Sequence, residues 1–166
     1  MRLARATDAD AIWPLLRDVF RASETYAVDP QISKDAALNY WMTQPRAVYV
    51  AEENGQIRGT YYIKTNQPGG GAHICNCGYI VAPEARGRGL AALMCAHSQD
   101  EARHLGYKAM QFNFVLASNE GAIRLWHRLG FETIGTIHEA FDHPQLGFVD
   151  AHIMYKSLAK IGPSAK

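Results

Sequence analysis

The chain has 166 residues, 48% of them hydrophobic, enough for one domain with its own core. Lys and Arg number 17 against 16 Asp and Glu, a formal charge of +1 with no basic block, so the electrostatic footprint of a nucleic-acid partner is missing. No apolar run suits a signal peptide or spans a bilayer, and 3 cysteines make no disulfide framework; a cytoplasmic protein with reduced thiols and no membrane partner is expected.

In chain order, Arg2 to Ala6 alternates like a strand, and Thr7 or Asp8 can cap a helix carrying Ile12, Leu15, Leu16, Val19 and Phe20 at helical spacing. Ala22 to Pro30 reads as a loop. Ser33 can cap a second helix with Ala37, Leu38, Tyr40 and Trp41, ended by Pro45. Ala47 to Glu52 and Ile57 to Ile63 are rich in β-formers and flank Asn54-Gly55, which predicts an antiparallel hairpin. Gln67 to Gly71 is a flexible connection. A strand from His73 to Val81, a helix from about Gly89 to His104, a strand from Met110 to Val115 and a helix from Asn119 to Leu129 follow, with Gly106 and Gly130 as helix stops. The strand–helix–strand alternation implies a right-handed crossover. Phe131 to Ile137 and Phe148 to Tyr155 close the chain as antiparallel strands around a loop at Phe141 to Pro144, and a loose tail is expected after about residue 157. The pattern is α/β with a mixed sheet, one domain over residues 1–166.

The stretch from Asn76 to Ala91 joins a strand to a glycine-rich turn and then a helix, the arrangement of an anion site. The amides of Gly87, Arg88, Gly89, Leu90 and Ala91 fall where the helix begins, so their unpaired N–H groups and the positive end of the helix dipole can face a phosphate. Gly87 and Gly89 can take positive φ and let a diphosphate approach the backbone, while Arg86 and Arg88 add charge. Gly87 to Ala92 also fits the dinucleotide pattern G-x-G-x-x-A. However, Pro83 to Arg86 intervene after the strand, and no acid ends the next one. A P-loop is excluded because its G-K-[ST] ending is absent.

Arg86-x-x-Gly89-x-Ala91 after a strand ending at Val81 resembles the acetyl-CoA pyrophosphate loop of the GNAT N-acetyltransferase superfamily, and Asn119 to Phe131 is similar to that family's asparagine, helix and Gly-Phe signature. The resemblance implies a mostly antiparallel central sheet with a splayed parallel pair, flanked by about four helices. It implies an enzyme that moves an acetyl group from acetyl-CoA to an amine. The donor would be held by Ile80, Val81, the loop Arg86, Gly87, Arg88, Gly89, Leu90 and Ala91, and by Asn119 and Trp126. Asn76 and Asn113 would lie beside the reacting carbon and Asn119 near it, and Glu24 and Tyr26 would stand in a loop over the acceptor. Two departures stand out: Trp126 occupies the place of the family's usual tyrosine acid, and the central strand carries no Glu or Asp to act as base. A non-catalytic acetyl-CoA sensor or assembly module is therefore the competing reading.

Strand parity places Asn76, Gly78 and Ile80 on one face and His73, Cys75, Cys77 and Tyr79 on the other. An unpaired amide in a core is costly, so Asn76 and Asn113 need partners or a wet site; an amide offers both a donor and an acceptor, suiting a carboxylate and an amine together. His73-x-Cys75-x-Cys77 sets three soft ligands in line, but one straight strand cannot wrap a tetrahedral ion, so packing is expected and no metal. Cys75 to Val81 with Asn113 to Val115 and Ser118 to Ala122 is also similar to fungal enzymes that N-acetylate azetidine-2-carboxylate and related proline analogues. The implied acceptor is a small-molecule amine, an amino or imino acid; a homodimer is compatible with the sequence.

Overall fold

A computed structural model describes residues 1–159. The chain forms β1 (Arg2–Leu3), α1 (Ala9–Ala22), α2 (Lys34–Leu38), β2 (Ala47–Glu53), β3 (Gln56–Thr65), β4 (Ile74–Val81), α3 (Leu90–His104), β5 (Ala109–Leu116), α4 (Glu120–Arg128), β6 (Glu132–His143) and β7 (Gly147–Ser157). The strands make one seven-stranded sheet in the order β1-β2-β3-β4-β5-β7-β6. Every neighbouring pair is antiparallel except β4 and β5, the parallel pair that the α3 crossover demands. No helix among the described residues is long and apolar enough to cross a membrane.

The two faces of the sheet carry separate cores. Cys75, Cys77, Met110 and Phe112 pack with Met94 and Cys95 of α3 and Trp126 of α4. On the opposite face Val48, Val50, Tyr62 and Ile80 pack with Ile12, Leu16 and Phe20 of α1 and with Trp41. The parity read from the sequence therefore holds: Ile80 and Cys77 face different layers. Trp41 is fully buried, and its indole N–H donates to Thr60 Oγ1 at 3.1 Å.

Local chemistry sets most boundaries. Asn54 and Gly55 take φ of 52° and 75°, the left-handed pair of a tight hairpin turn. Ser33 Oγ accepts from the Ala36 amide at 3.2 Å and caps α2. Beyond α2 the chain widens into a π-type turn over Asn39–Thr43, where the Gln44 amide reaches back to the Asn39 carbonyl at 3.0 Å. Gly106 and Gly130 leave α3 and α4 with φ of 90° and 87°.

Three sequence readings need correction. The first strand stops at Leu3, because Ala6–Asp8 winds into a 3-10 turn whose Asp8 carboxylate accepts from the Arg5 amide at 2.6 Å. The connection at Gln67 to Gly71 closes into a 3-10 turn over Gly69–Gly71. The expected loop at Phe141 to Pro144 is mostly strand: β6 runs to His143, taking up its irregularity between Ile137 and Phe141, where Glu139 has φ of 49°. At the start of the expected loose tail Leu158 is buried and its amide donates to the Lys108 carbonyl at 2.8 Å; the expected tail from residue 160 lies outside the described residues.

Candidate active site

The parallel pairing of β4 and β5 is short. Ile74 pairs with Ala109 and Cys75 with Met110, and beyond them the strands part. On its other edge β5 loses register with β7 between Phe112 and Val115, which turns Asn113 and Phe114 out of the ladder. A cleft of about 750 Å³ opens between the parted strands. Its walls include Glu24, Tyr26, Asn76, Ile80, Val81, Arg86, Asn113, Asn119 and Trp126, so site candidates from four separate stretches of sequence meet in one cavity.

Which backbone groups face the cleft follows from the ladder on the far side of β4. The Ala82 amide donates to Arg58 of the β3 side at 2.8 Å, and the Asn66 amide donates to the Ile74 carbonyl at 2.9 Å. Hydrogen-bonding direction alternates along a strand, so Ile80, Gly78 and Asn76 also bond toward β3. Cys77, Tyr79 and Val81 turn their N–H and C=O groups the other way, toward the gap. That is an open sheet edge, able to pair an extended polar chain as an added strand would. One of these groups is already taken: Tyr26 Oη donates to the Tyr79 carbonyl at 3.0 Å.

At the mouth of the cleft the chain makes a 3-10 turn over Pro83–Ala85 and enters α3 through Gly87 and Gly89, with φ of 71° and 79°. A Cβ at either glycine would meet nothing, so backbone conformation and not crowding calls for glycine here. The Leu93 amide is the first in α3 to find a backbone acceptor, the Gly89 carbonyl at 3.1 Å; the amides from Gly87 to Ala92 donate to no acceptor among the described residues. These are the orphan donors at the positive end of a 15-residue helix. Arg86 is exposed and lines the cleft. Arg88 instead directs its guanidinium to Glu53, 3.0 Å away, so its contribution to the loop is its amide.

The far wall comes from α4. Asn119 Oδ1 accepts from the Ala122 amide at 3.2 Å and caps that helix. Trp126 is buried, its ring 5.2 Å from those of Tyr79 and of Phe112. An indole N–H is a donor that does not ionise near neutral pH, so Trp126 is a wall and not an acid. Cys77 also borders the cleft, which raises the question of an acyl-cysteine. Burial, followed by the neighbouring Cys75 thiol, pushes Cys77 well above the usual thiol range, and burial raises Cys95 likewise. Neither supplies a thiolate near neutral pH. His73 is exposed with its ring 3.1 Å from the Gly70 carbonyl, while Cys75 and Cys77 pack in the core. No group of three or more metal-binding side chains occurs among the described residues.

The two asparagines differ. Asn113 is held on both sides: its Nδ2 donates to Asn66 Oδ1 at 2.7 Å and its Oδ1 accepts from Gln111 Nε2 at 2.9 Å. Asn76 is half-buried, borders the cleft and has no hydrogen-bond partner for its side chain among the described residues. Beside them stand Tyr40 and Tyr62, whose rings meet edge to face at 6.3 Å, and Tyr26. Sequence reasoning missed Tyr40 and Tyr62 as site residues. Tyr40 had read as part of an apolar helical face, and Tyr62 as a strand residue, although its parity with Thr60 places it on the Trp41 face. Glu24 lies exposed at the rim.

The residues present fit a CoA thioester: free amides and Arg86 for a diphosphate, an open strand edge for the pantetheine arm, and a cleft reaching the splay of the sheet. Comparison with known proteins agrees. The acetyltransferase (GNAT) family model matches residues 10–131. The N-acetyltransferase aca1 of Schizosaccharomyces pombe is 31% identical over 147 residues, covering 78% of this chain and 70% of that protein. A GCN5-related N-acetyltransferase from Kribbella flavida has the same fold with a TM-score of 0.89 and 39% identity over 94% of this chain and 95% of its own. The fold also matches yncA from Salmonella typhimurium, solved with its cofactor acetyl-CoA, with a TM-score of 0.82 and 23% identity over 99% of this chain and 97% of that one. The chain therefore belongs to the acetyltransferase (GNAT) family and is an N-acetyltransferase whose co-substrate is acetyl-CoA.

Proposed function

We propose that residues 1–166 act as one N-acetyltransferase domain whose acceptor is a small-molecule amine, an amino or imino acid. The observation that carries this is Asn76: a half-buried amide with no hydrogen-bond partner for its side chain among the described residues, bordering a cleft at the point where the sheet parts. An amide in that position costs stability unless a ligand or water satisfies it. The room beside it is bounded by Tyr26, Tyr40, Tyr62 and Asn113, a short aromatic-walled space suited to a small ring or side chain.

Acetyl-CoA supplies the acetyl group as a thioester whose thiolate leaves without an obligatory proton donor, an ordinary thiol pKa being about 8.5. The amides from Gly87 to Ala92 and the Arg86 side chain hold the diphosphate. Val81, on the open edge of β4, with Asn119 and Trp126 on the facing wall, holds the arm straight toward Asn76, whereas Ile80, expected from the sequence to hold it too, bonds its backbone toward β3. Asn76 then fixes the acceptor, and Asn113, itself fixed by Asn66 and Gln111, presents a preorganised amide beside it. The amine attacks the acetyl carbon directly, since the buried cysteines supply no nucleophile. Its proton leaves to water near Asn113 and Asn119, because no carboxylate stands on β4. Glu24 and Tyr26 cover the acceptor from the loop after α1. The similarity to enzymes of azetidine-2-carboxylate and other proline analogues supports an imino acid.

The test is release of free thiol from acetyl-CoA with a panel of amino acids, imino acids, polyamines and peptides, with products identified by mass. Acetylation of amino or imino acids above the other classes is expected. A preference for peptides or polyamines would refute the acceptor, and tight donor binding with no turnover would favour the sensor or assembly reading.

A further inference from the structure

The acceptor side of the splay carries a polar row that the core on that face does not explain. In the register of the sheet Lys64 of β3 stands opposite Asn76 of β4, one step beyond the Tyr62 and Gly78 pair. Side chains at directly opposed positions start about 5 Å apart at their Cβ atoms and project to the same face. Gln111 and Asn113 of β5 join that row through Asn66, two residues along from Lys64, whose Oδ1 accepts from Asn113. Lys64 brings the row its positive charge. It is half-buried and has no Asp or Glu within ion-pairing distance among the described residues. Its ammonium instead lies 5.9 Å from the centre of the Tyr40 ring, which lines the cleft.

A half-buried lysine directly opposite, on the same face of the sheet, an amide without a side-chain partner among the described residues can make a two-donor site for an anion: Nζ supplies charge and Asn76 Nδ2 supplies direction. We propose that Lys64 and Asn76 together bind the carboxylate of the acceptor, so that the enzyme selects amines that carry a carboxylate close to the nitrogen. This rests on the small-acceptor reading above. The aromatic rings of Tyr40, Tyr62 and Tyr26 then pack the acceptor's carbon skeleton, and the amine points along β4 into the gap where the thioester lies. A plain amine of the same size would leave both donors unsatisfied, and the penalty of an unpaired polar site gives discrimination that apolar contact alone does not.

The experiment compares three matched acceptors, an imino acid, its carboxamide and the decarboxylated amine, on the wild type, Lys64→Met and Lys64→Arg. The wild type should favour the acid over the other two. Lys64→Met should raise KM for the acid about 10- to 100-fold, the range of a lost charge-assisted hydrogen bond, while KM for acetyl-CoA and for the decarboxylated amine stays within a few-fold. Lys64→Arg should restore part of the preference. An unchanged KM for the acid in Lys64→Met overturns the proposal, as does equal use of all three acceptors by the wild type, which leaves a small-amine enzyme without carboxylate selection. If the wild type acetylates none of these or other small amines but does acetylate peptides, both this proposal and the small-acceptor reading fall.

Discussion

At the proposed donor end of the cleft the groups on offer belong to the backbone: the amides from Gly87 to Ala92 and the edge of β4 at Cys77, Tyr79 and Val81. At the proposed acceptor end they are side chains: Tyr26, Tyr40, Tyr62, Asn76 and Asn113 line the cleft, drawn from the loop after α1, the π-type turn, β3, β4 and β5, and Lys64 stands opposite Asn76 on β3. The difference has a physical reason. A diphosphate and a pantetheine arm do not vary, so a loop geometry and a strand edge suffice, and side chains there are free to pair elsewhere, as Arg88 does with Glu53. An acceptor must be told from other amines, which takes side chains of particular size and polarity. Substitutions should therefore separate by which end they touch.

The largest effect is expected at the donor loop. Gly89 has φ of 79°, a conformation that costs a side-chain-bearing residue roughly 1–2 kcal/mol, and a carboxylate there would face the diphosphate. Gly89→Glu should weaken CoA binding in calorimetry about 100-fold or more, with thermal stability lowered by no more than that backbone strain, because a Cβ at this position meets nothing.

Gly78 should behave oppositely. A Cβ there would come within 2.6 Å of the Tyr62 ring and 3.0 Å of Tyr26 Oη. Gly78→Ala forces both tyrosines off β4, at a cost of about 1–3 kcal/mol in stability for overpacking. The acceptor KM should rise about tenfold while CoA affinity stays within a few-fold. Equal damage to both would break the separation of the two ends.

Acid stability offers a control outside the cleft. The Arg2 guanidinium, 2.8 Å from the Asp8 carboxylate, holds Asp8 below its ordinary value of 3.8. A depressed carboxylate contributes stability that is present above its unfolded pKa and lost as pH falls through its folded one. Arg2→Ala should therefore move the acid unfolding midpoint to higher pH, and neither KM should change near neutral pH. The smallest effect is expected for Arg88→Ala, whose guanidinium is exposed and engaged with Glu53: CoA affinity within about threefold, as for other exposed ion pairs.

The same contrast decides what could be read from the sequence. The donor end lies in one stretch, and positive-φ glycines before a helix carry a geometric meaning wherever they occur, so Gly87, Gly89 and the helix start were legible, as was the Asn54-Gly55 turn. The acceptor end is assembled from distant segments, and a tyrosine destined for a pocket wall has the same periodicity as one destined for the core; Tyr40 and Tyr62 were therefore hidden. Parity separated Asn76 from Cys77 but could not tell a satisfied asparagine from a free one, because the partners of Asn113 are Asn66, just past the end of β3, and Gln111. The end of β6 was misjudged since Asp142, His143 and Pro144 look like a loop, whereas the bulge near Glu139 lets the strand continue to the turn before Gly147.

The most direct measurement of this division is a two-substrate kinetic matrix, acetyl-CoA against the preferred amino or imino acid, for the wild type and Asn76→Ala, paired with CoA calorimetry and a thermal melt. Losing one hydrogen-bonding amide should raise the acceptor KM or lower kcat about tenfold, with CoA affinity within a few-fold and the melting temperature held, since the Asn76 side chain has no hydrogen-bond partner among the described residues to lose. If Asn76→Ala loses CoA binding and unfolds early, Asn76 is part of the scaffold and the acceptor site is not where we have put it.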